Sequence, residues 1–328
     1  MDPQEMMKNI ENMNDEQKEE FLGSFFQWLS QNYINRNPAV YHPDNKLMEM
    51  AQNKGLFLLP THFYAPVPTK IEIQKYNAKN GAEGIDWNDA VQIDFMERSR
   101  ESQRDLMDTP VQRRNNVEYY WDNEAFSHTD AAFYYSLIRL LKPKQVLEIG
   151  AGNSTKMAVK ALQALGKRNL GDTLTVIEPY PSKDLATMSD QFDLQIRKQT
   201  LQDTDLETFQ KLQAGDILFF DGTHVSKYGS DVNHFFFQIL PALNSGVYVH
   251  VHDIFLPEEM PKDWVNDLNL FWNEQYVLHA FLMYNDQFEI VFSSKYAFMK
   301  HRTLLDDVFR APLAYRGNGG GSLWMRKK

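Results

Sequence analysis

The hydrophobic pattern along the chain is irregular up to about Val117 and becomes orderly after Phe126. From there, short apolar runs alternate with stretches of helical spacing. Ser127 or Thr129 can cap a helix that carries Ala132, Tyr135, Leu137 and Leu140 and stops at Pro143. Strands are predicted at QVLEIG (Gln145 to Gly150), LTVIE (Leu174 to Glu178), Leu194 to Ile196, DILFFD (Asp216 to Asp221), GVYVHVHD (Gly246 to Asp253), Phe288 to Phe292 and Gly321 to Arg326. Between them, helices are predicted at Ser154 to Leu165, near Leu206 to Leu212, over Asp231 to Leu243 and around Trp272 to Met283. This alternation implies an α/β domain with a doubly wound, mostly parallel sheet of seven strands. Such sheets bind ligands beyond the C-terminal strand ends, where the strand order reverses. Glu148, Glu178, Asp221 and Asp253 all fall at or near those ends.

The N-terminal third reads differently. Asn14 can serve as an N-cap, with Gln17 completing a capping box. Phe21, Leu22, Phe25, Phe26, Leu29 and Tyr33 then recur at helical spacing. Such an aromatic stripe is first of all a packing face, for the main domain or for a second subunit. Leu58 to Lys70 interleaves three prolines with aromatics and should be extended and rigid, presenting His62 and Tyr64. Glu97 to Met107 is polar and predicted helical. The expected organisation is therefore a helical and extended cap or lid over residues 1–117, a candidate dimerisation element, followed by a ligand-binding domain over 118–328.

Composition narrows the functional classes. With 43% hydrophobic and 24% charged residues, the 328-residue chain has the make-up of a globular protein with a real core. A net charge of −10 argues against nucleic-acid binding by phosphate neutralisation. The absence of cysteine removes disulfides and thiolate chemistry and suits a reducing compartment. The polar, acidic start lacks the basic and apolar regions of a signal peptide, and no apolar run reaches the roughly 18 residues of a membrane span. The expectation is a cytoplasmic protein acting on a small molecule.

Two constellations carry candidate chemistry. The first is Glu148-Ile-Gly-Ala-Gly-Asn-Ser154, a strand entering a glycine turn and then a helix. Gly150 and Gly152 permit a sharp bend and a close backbone approach to a ligand. Glu178 ends the next strand about one βα unit later, where a carboxylate can accept both hydroxyls of an adenosine ribose. A dinucleotide site would favour a third glycine, and Thr155 stands there instead. These residues resemble the class I S-adenosylmethionine (SAM)-dependent methyltransferases, whose fold is Rossmann-like with a terminal antiparallel strand pair. The resemblance covers roughly Phe126 to Lys328. It is closer to a bacterial group of methyltransferase-domain proteins marked by an HFYxPxP segment (His62 to Pro68), HVHDIFLP (His250 to Pro257) and WNEQY (Trp272 to Tyr276). It implies that Glu148, Gly150, Gly152 and Ser154 hold the methionine moiety of SAM, Glu178 the ribose and Tyr180 the adenine edge.

The second constellation is Asp221-Gly-Thr-His224 after one strand and His252-Asp253 after the next. Asp221, His252 and Asp253 could ligate Mg²⁺ or another divalent cation, the imidazole making Mn²⁺, Fe²⁺ or Zn²⁺ alternatives. His224 could take a proton as general base beside Asp221. The arrangement is similar to metal-dependent sugar and catechol O-methyltransferases, and departs from the sugar enzymes in having His252 where an acid is usual. The plainer alternatives are that Asp221 contacts SAM or caps a helix, that His250 is a buried strand residue, and that His234 is structural. The activity expected is O-methylation of a small hydroxylated metabolite, a sugar or natural-product intermediate. The alternatives are a SAM-utilising enzyme that cyclises the aminobutyrate arm, and a non-catalytic SAM-binding subunit.

Overall fold

The structure is a computed structural model; it describes residues 2–34, 46–59, 61, 64–75, 81–310 and 319–328. The chain divides into two compact units, Met1–Asn77 and Ala78–Lys328. In the first unit, Asn14 and Gln17 form the expected capping box at the start of the helix Asp15–Leu29. Of its apolar stripe only Leu29 is buried, while Leu22, Phe25 and Phe26 stay exposed. The Tyr33 side chain lies outside the described residues, as do Pro60, His62 and Phe63 of the proline-rich segment. Tyr64 is exposed, and a short helix, Lys70–Lys75, follows.

The second unit begins well before residue 118, because the segment ahead of it supplies core. Phe95, Met96 and Leu106 of that segment belong to the larger apolar cluster, joined by Tyr119 and Trp121 just after it. The helix expected over Glu97 to Met107 is instead an α-helix, Asp89–Ser99, followed by a 3₁₀ turn, Ser102–Leu106. Serine hydroxyls mark the break. Ser99 Oγ donates to the Phe95 carbonyl at 2.7 Å and Ser102 Oγ to the Ser99 carbonyl at 2.8 Å. Such side-chain bonds compete with helical backbone pairing.

Seven strands form one sheet: β1 (Val146–Ile149), β2 (Leu174–Ile177), β3 (Gln195–Arg197), β4 (Ile217–Phe220), β5 (Tyr248–Val251), β6 (Phe288–Ser293) and β7 (Leu323–Lys327). Their spatial order is β3-β2-β1-β4-β5-β7-β6. The first five are parallel, and β7 runs antiparallel between β5 and β6. All seven coincide with the apolar runs read from the sequence. The central strands are apolar on both faces because both are covered. In β4, Ile217 and Phe219 enter one apolar cluster, and Leu218 and Phe220 the other. One cluster packs Phe133, Leu137, Met157 and Leu162 of the helices His128–Leu141 and Asn153–Ala164. The other packs Phe235, Ile239 and Leu278 on the opposite side.

Several helices go beyond those the sequence pattern predicts, three of them around β2 to β3 and after β6. Lys183–Phe192 lies between β2 and β3, and its signal was legible: Ser182 accepts from the Leu185 N–H at 3.2 Å, and Leu185 and Met188 bury one face. Ser294–Lys300 and Arg302–Val308 fill the connection after β6 with buried Tyr296, Ala297, Leu305 and Val308. Among the described residues, no helix is long and apolar enough to cross a membrane.

Candidate active site

Register assembles the site. Ile149 of β1 pairs with Phe220 of β4, and Phe220 pairs with Val251 of β5. The next residues, Gly150, Asp221 and His252, therefore leave the sheet side by side. Asp221 N–H donates to the Ile149 carbonyl and His252 N–H to the Phe220 carbonyl. The strand order reverses between β1 and β4, which is where this architecture opens a crevice.

The β1 turn is constrained from one side and open on the other. Gly150 has φ +80°, and a Cβ there would stand 2.1 Å from the Asp221 carbonyl oxygen, so only glycine fits. Gly152 is exposed, and a Cβ there would meet nothing within 4 Å. Its N–H donates to Thr155 Oγ1 at 3.2 Å, closing the turn onto the helix Asn153–Ala164. Glu178 is half-buried, and its carboxylate accepts from the Tyr180 N–H at 2.8 Å; Tyr180 itself is largely exposed. Ser154 is buried.

Glu148 differs from expectation. A direct contact with a ligand needs exposed carboxylate atoms, and this side chain is fully buried with neither oxygen in a hydrogen bond. The reason is the strand's alternation, which points Glu148, in phase with Val146, into the face packed by the helices His128–Leu141 and Asn153–Ala164, beside Tyr134. Burial raises its pKa to about 7, an effect the nearby hydroxyls of Ser154 and Thr155 only partly offset.

Beyond β4 and β5, four side chains converge. His224 Nε2 lies 3.3 Å from Asp221 Oδ1 and 3.4 Å from Asp253 Oδ2. His252 Nδ1 lies 3.4 Å from Asp253 Oδ1 and 3.8 Å from Asp221 Oδ1. Asp221, His252 and Asp253 each offer a ligand atom, and these atoms lie within 4.8 Å of one another. That donor set, two carboxylates and one imidazole, suits a divalent cation. Both His224 and Asp253 sit in left-handed backbone, at φ +59° and +54°, a conformation such residues adopt at a cost of order 1 kcal/mol or more and which concentrates at functional sites.

Sequence reading missed the partners that hold this cluster. Glu274, buried, accepts from His224 Nδ1 at 2.9 Å. The N–H groups of Asn273 and Glu274 donate to the His224 carbonyl, and Trp272 lies against the imidazole with ring centroids 4.3 Å apart. Gln275 reaches the other loop, accepting from the Phe255 N–H at 2.6 Å and donating to the Glu258 carbonyl. Trp272 to Gln275 thus ties the loop carrying His224 to the loop following Asp253. The WNEQY motif was visible in the sequence, but a contact across 50 residues was not. Asp231, the first residue of the helix Asp231–His234, fixes Thr223 through the backbone N–H at 2.7 Å and the hydroxyl at 2.6 Å.

Carboxylates outnumber imidazoles here, and the titration follows. Burial opposes protonation of His224, but the hydrogen bonds with Asp221 and Glu274 outweigh it and raise the pKa to about 10. Burial likewise opposes a charged His252, and the charges of Asp253 and Asp221 carry it well above its ordinary value. Asp221 is held below the usual carboxylate range because the two imidazoles overcome its desolvation. Glu274 moves the other way, pushed up to about 7 by burial. His250, by contrast, is a strand residue: fully buried, stacked on Phe219 at 3.8 Å and bonded through Nε2 to Ser322 Oγ. His234 is half-buried on the helix Asp231–His234.

Residues 147–254 match the family model for a methyltransferase domain. An uncharacterized protein of Archaeoglobus fulgidus is 31% identical over 172 residues, which cover 48% of this chain and 75% of that protein. Among solved structures, an S-adenosylhomocysteine-bound methyltransferase of Podospora anserina is similar at 17% identity over 83% of this chain and 98% of its own, with a TM-score of 0.38. A Burkholderia thailandensis N-methyltransferase, bound to 1,6-didemethyltoxoflavin and S-adenosylhomocysteine, is similar at 15% identity over 73% of this chain and 88% of its own, with a TM-score of 0.34. The chain thus belongs to one family with the Archaeoglobus protein, and its residues 147–254 form a methyltransferase domain.

Proposed function

We propose that this enzyme methylates a hydroxyl of a small hydroxylated metabolite, a sugar or natural-product intermediate, at the cluster of Asp221, His224, His252 and Asp253. The observation that carries the reading is the convergence of these four side chains, next to the β1 glycine turn, at the point where the strand order reverses. SAM, when bound, supplies an electrophilic methyl group on a sulfonium centre. Gly150 and Gly152 shape the turn that takes its methionine end, with the space beside Gly152 open for it. Glu178 stands where it can accept the ribose hydroxyls, and Tyr180, exposed two residues on, can cover the adenine edge. Ser154 and the buried Glu148 support the turn from within.

An alcohol needs help to become a nucleophile, and here the chain offers it at a stated atom. His224 Nε2 faces the carboxylates of Asp221 and Asp253, while Nδ1 is held by Glu274. A proton leaving the acceptor hydroxyl passes to Nε2 as the oxygen takes the methyl group. Asp221, His252 and Asp253 would hold a divalent cation, which lowers the pKa of a bound hydroxyl. Asp221 is one of the two carboxylates that raise the His224 pKa, so a cation held there would offset it and favour the neutral, proton-accepting imidazole. The test is release of S-adenosylhomocysteine from SAM across a panel of hydroxylated acceptors, with and without EDTA. Turnover confined to amine acceptors would overturn O-methylation, and undiminished turnover after complete metal removal would overturn the cation.

A further inference from the structure

Asp130 lies outside every motif that marks the cofactor site, yet it is one of the most fully engaged side chains in the molecule. It stands in the first turn of the helix His128–Leu141 and is buried. Oδ1 accepts from Ser294 Oγ at 2.6 Å and from the Ser322 N–H at 3.0 Å; Oδ2 accepts from the Gly321 N–H at 3.0 Å. The chain must come close to make these bonds. A Cβ on Gly320 would stand 2.4 Å from Asp130 Oδ1, and one on Gly321 would stand 3.1 Å from the Asp253 Cα. The glycines ahead of β7 are therefore shaped around two acids, one of them in the proposed cation site.

The remaining direction of Asp130 is toward His252. Oδ2 lies 3.7 Å from His252 Nε2, an ion-pair distance, and that nitrogen is buried with no hydrogen-bond partner of its own. The opposite ring nitrogen, Nδ1, faces Asp253 and Asp221. The imidazole is thus set between an inner pair of carboxylates and one outer carboxylate. Phe126 lies against it, with ring centroids 5.3 Å apart.

We infer that Asp130 is a positioning residue for His252, the outer carboxylate that orients the imidazole with Nδ1 toward Asp221 and Asp253 and so sets the divalent-cation affinity of the site. The inference rests on the cation reading above. Its physical basis is general: a histidine ligand is oriented and made more basic by a carboxylate on its other nitrogen, and losing that partner typically weakens metal affinity 10–100-fold. It also explains why a buried acid on a helix remote in sequence spends its bonds on the start of β7. Those bonds hold the carboxylate still behind the ring.

The experiment is Mn²⁺ titration of the full chain, followed by calorimetry and by the loss of the free-ion electron paramagnetic resonance signal. Asp130→Asn keeps the volume and an acceptor oxygen but removes the charge, and should weaken Mn²⁺ binding by about 10–100-fold. Ser294→Ala removes one of the three bonds to Asp130 but keeps its charge and the two backbone N–H groups of Gly321 and Ser322 that hold it; it should lower the melting temperature while leaving Mn²⁺ affinity within about twofold, so that affinity separates positioning from general destabilisation. Asp221→Ala should abolish binding. Wild-type affinity in Asp130→Asn, with Asp221→Ala still defective, would overturn the role of Asp130 and leave the cation reading standing. Equal losses in Ser294→Ala and Asp130→Asn would reduce Asp130 to a structural residue. Failure of the wild-type chain to bind Mn²⁺ would remove the cation reading and this inference together.

Discussion

Glu148→Gln isolates the cost of a charge placed inside the sheet. In the folded chain this carboxyl is fully buried, without a hydrogen bond, and burial holds its pKa near 7, against 4.5 for an ordinary glutamate. Below the ordinary value both folded and unfolded chains keep the proton, and the group takes nothing from stability. As pH rises from there the unfolded chain ionises first, so stability is lost progressively until the folded group ionises near 7 and the loss levels off. The gap between the two pKa values corresponds to about 3 kcal/mol. Glutamine carries no charge at any of these pH values and escapes the loss. In thermal melts followed by circular dichroism, the variant should gain on the wild type as pH rises from about 5 to about 8. A gain of that size is roughly 6–12 °C for a unit of this length. A constant offset from packing the amide would not alter the pH dependence. A difference flat in pH would refute the reasoning, because it would mean that Glu148 ionises alike in both states.

The turn makes a paired prediction. Gly152→Val should abolish the rise in melting temperature that SAM produces while leaving the ligand-free melt nearly unchanged, since its Cβ enters open space. Gly150→Ala should destabilise the ligand-free chain by several degrees, through a clash with the Asp221 carbonyl at a left-handed φ; equal behaviour of the two variants would contradict the geometry of the turn. His224→Ala should lower methyl transfer by roughly a hundred-fold or more, with SAM affinity measured by calorimetry within a few-fold of wild type; unchanged turnover would remove the proton acceptor. Glu274→Ala should mimic it in direction, and Glu274→Gln should recover part of the rate; a Glu274→Ala enzyme with full kcat would show that His224 is held well enough by Trp272 and the backbone alone. Removing residues 1–77 should leave a chain that melts cooperatively with its α/β circular dichroism intact, because the core clusters lie in residues 78–328; loss of that transition would show that the two units fold as one.

The sequence by itself determined the α/β class, all seven strands and the strand ends where chemistry gathers. These are local properties: an apolar run buried on both faces reads as a strand wherever it occurs, and a glycine turn or a capping box is written in adjacent residues. It also brought Asp221, His224, His252 and Asp253 together, because consecutive parallel strands place their following residues side by side. Tertiary structure decided the rest. That Glu148 faces inward follows from the phase of β1 against its covering helices, a phase that the acidic residue before a glycine turn does not reveal. Ser99 and Ser102 broke a helix that its polar pattern favoured, because their hydroxyls found backbone carbonyls within their own turns. Residues 78–117 joined the second unit because Phe95, Met96 and Leu106 find their apolar partners on helices and strands far along the chain. Glu274 and Asp130 became partners of His224 and His252 only through contacts spanning 50 and 122 residues. No local spacing encodes such pairs; they exist because the fold brings the starts of the helices Glu274–Leu282 and His128–Leu141 to the strand ends beyond β4 and β5.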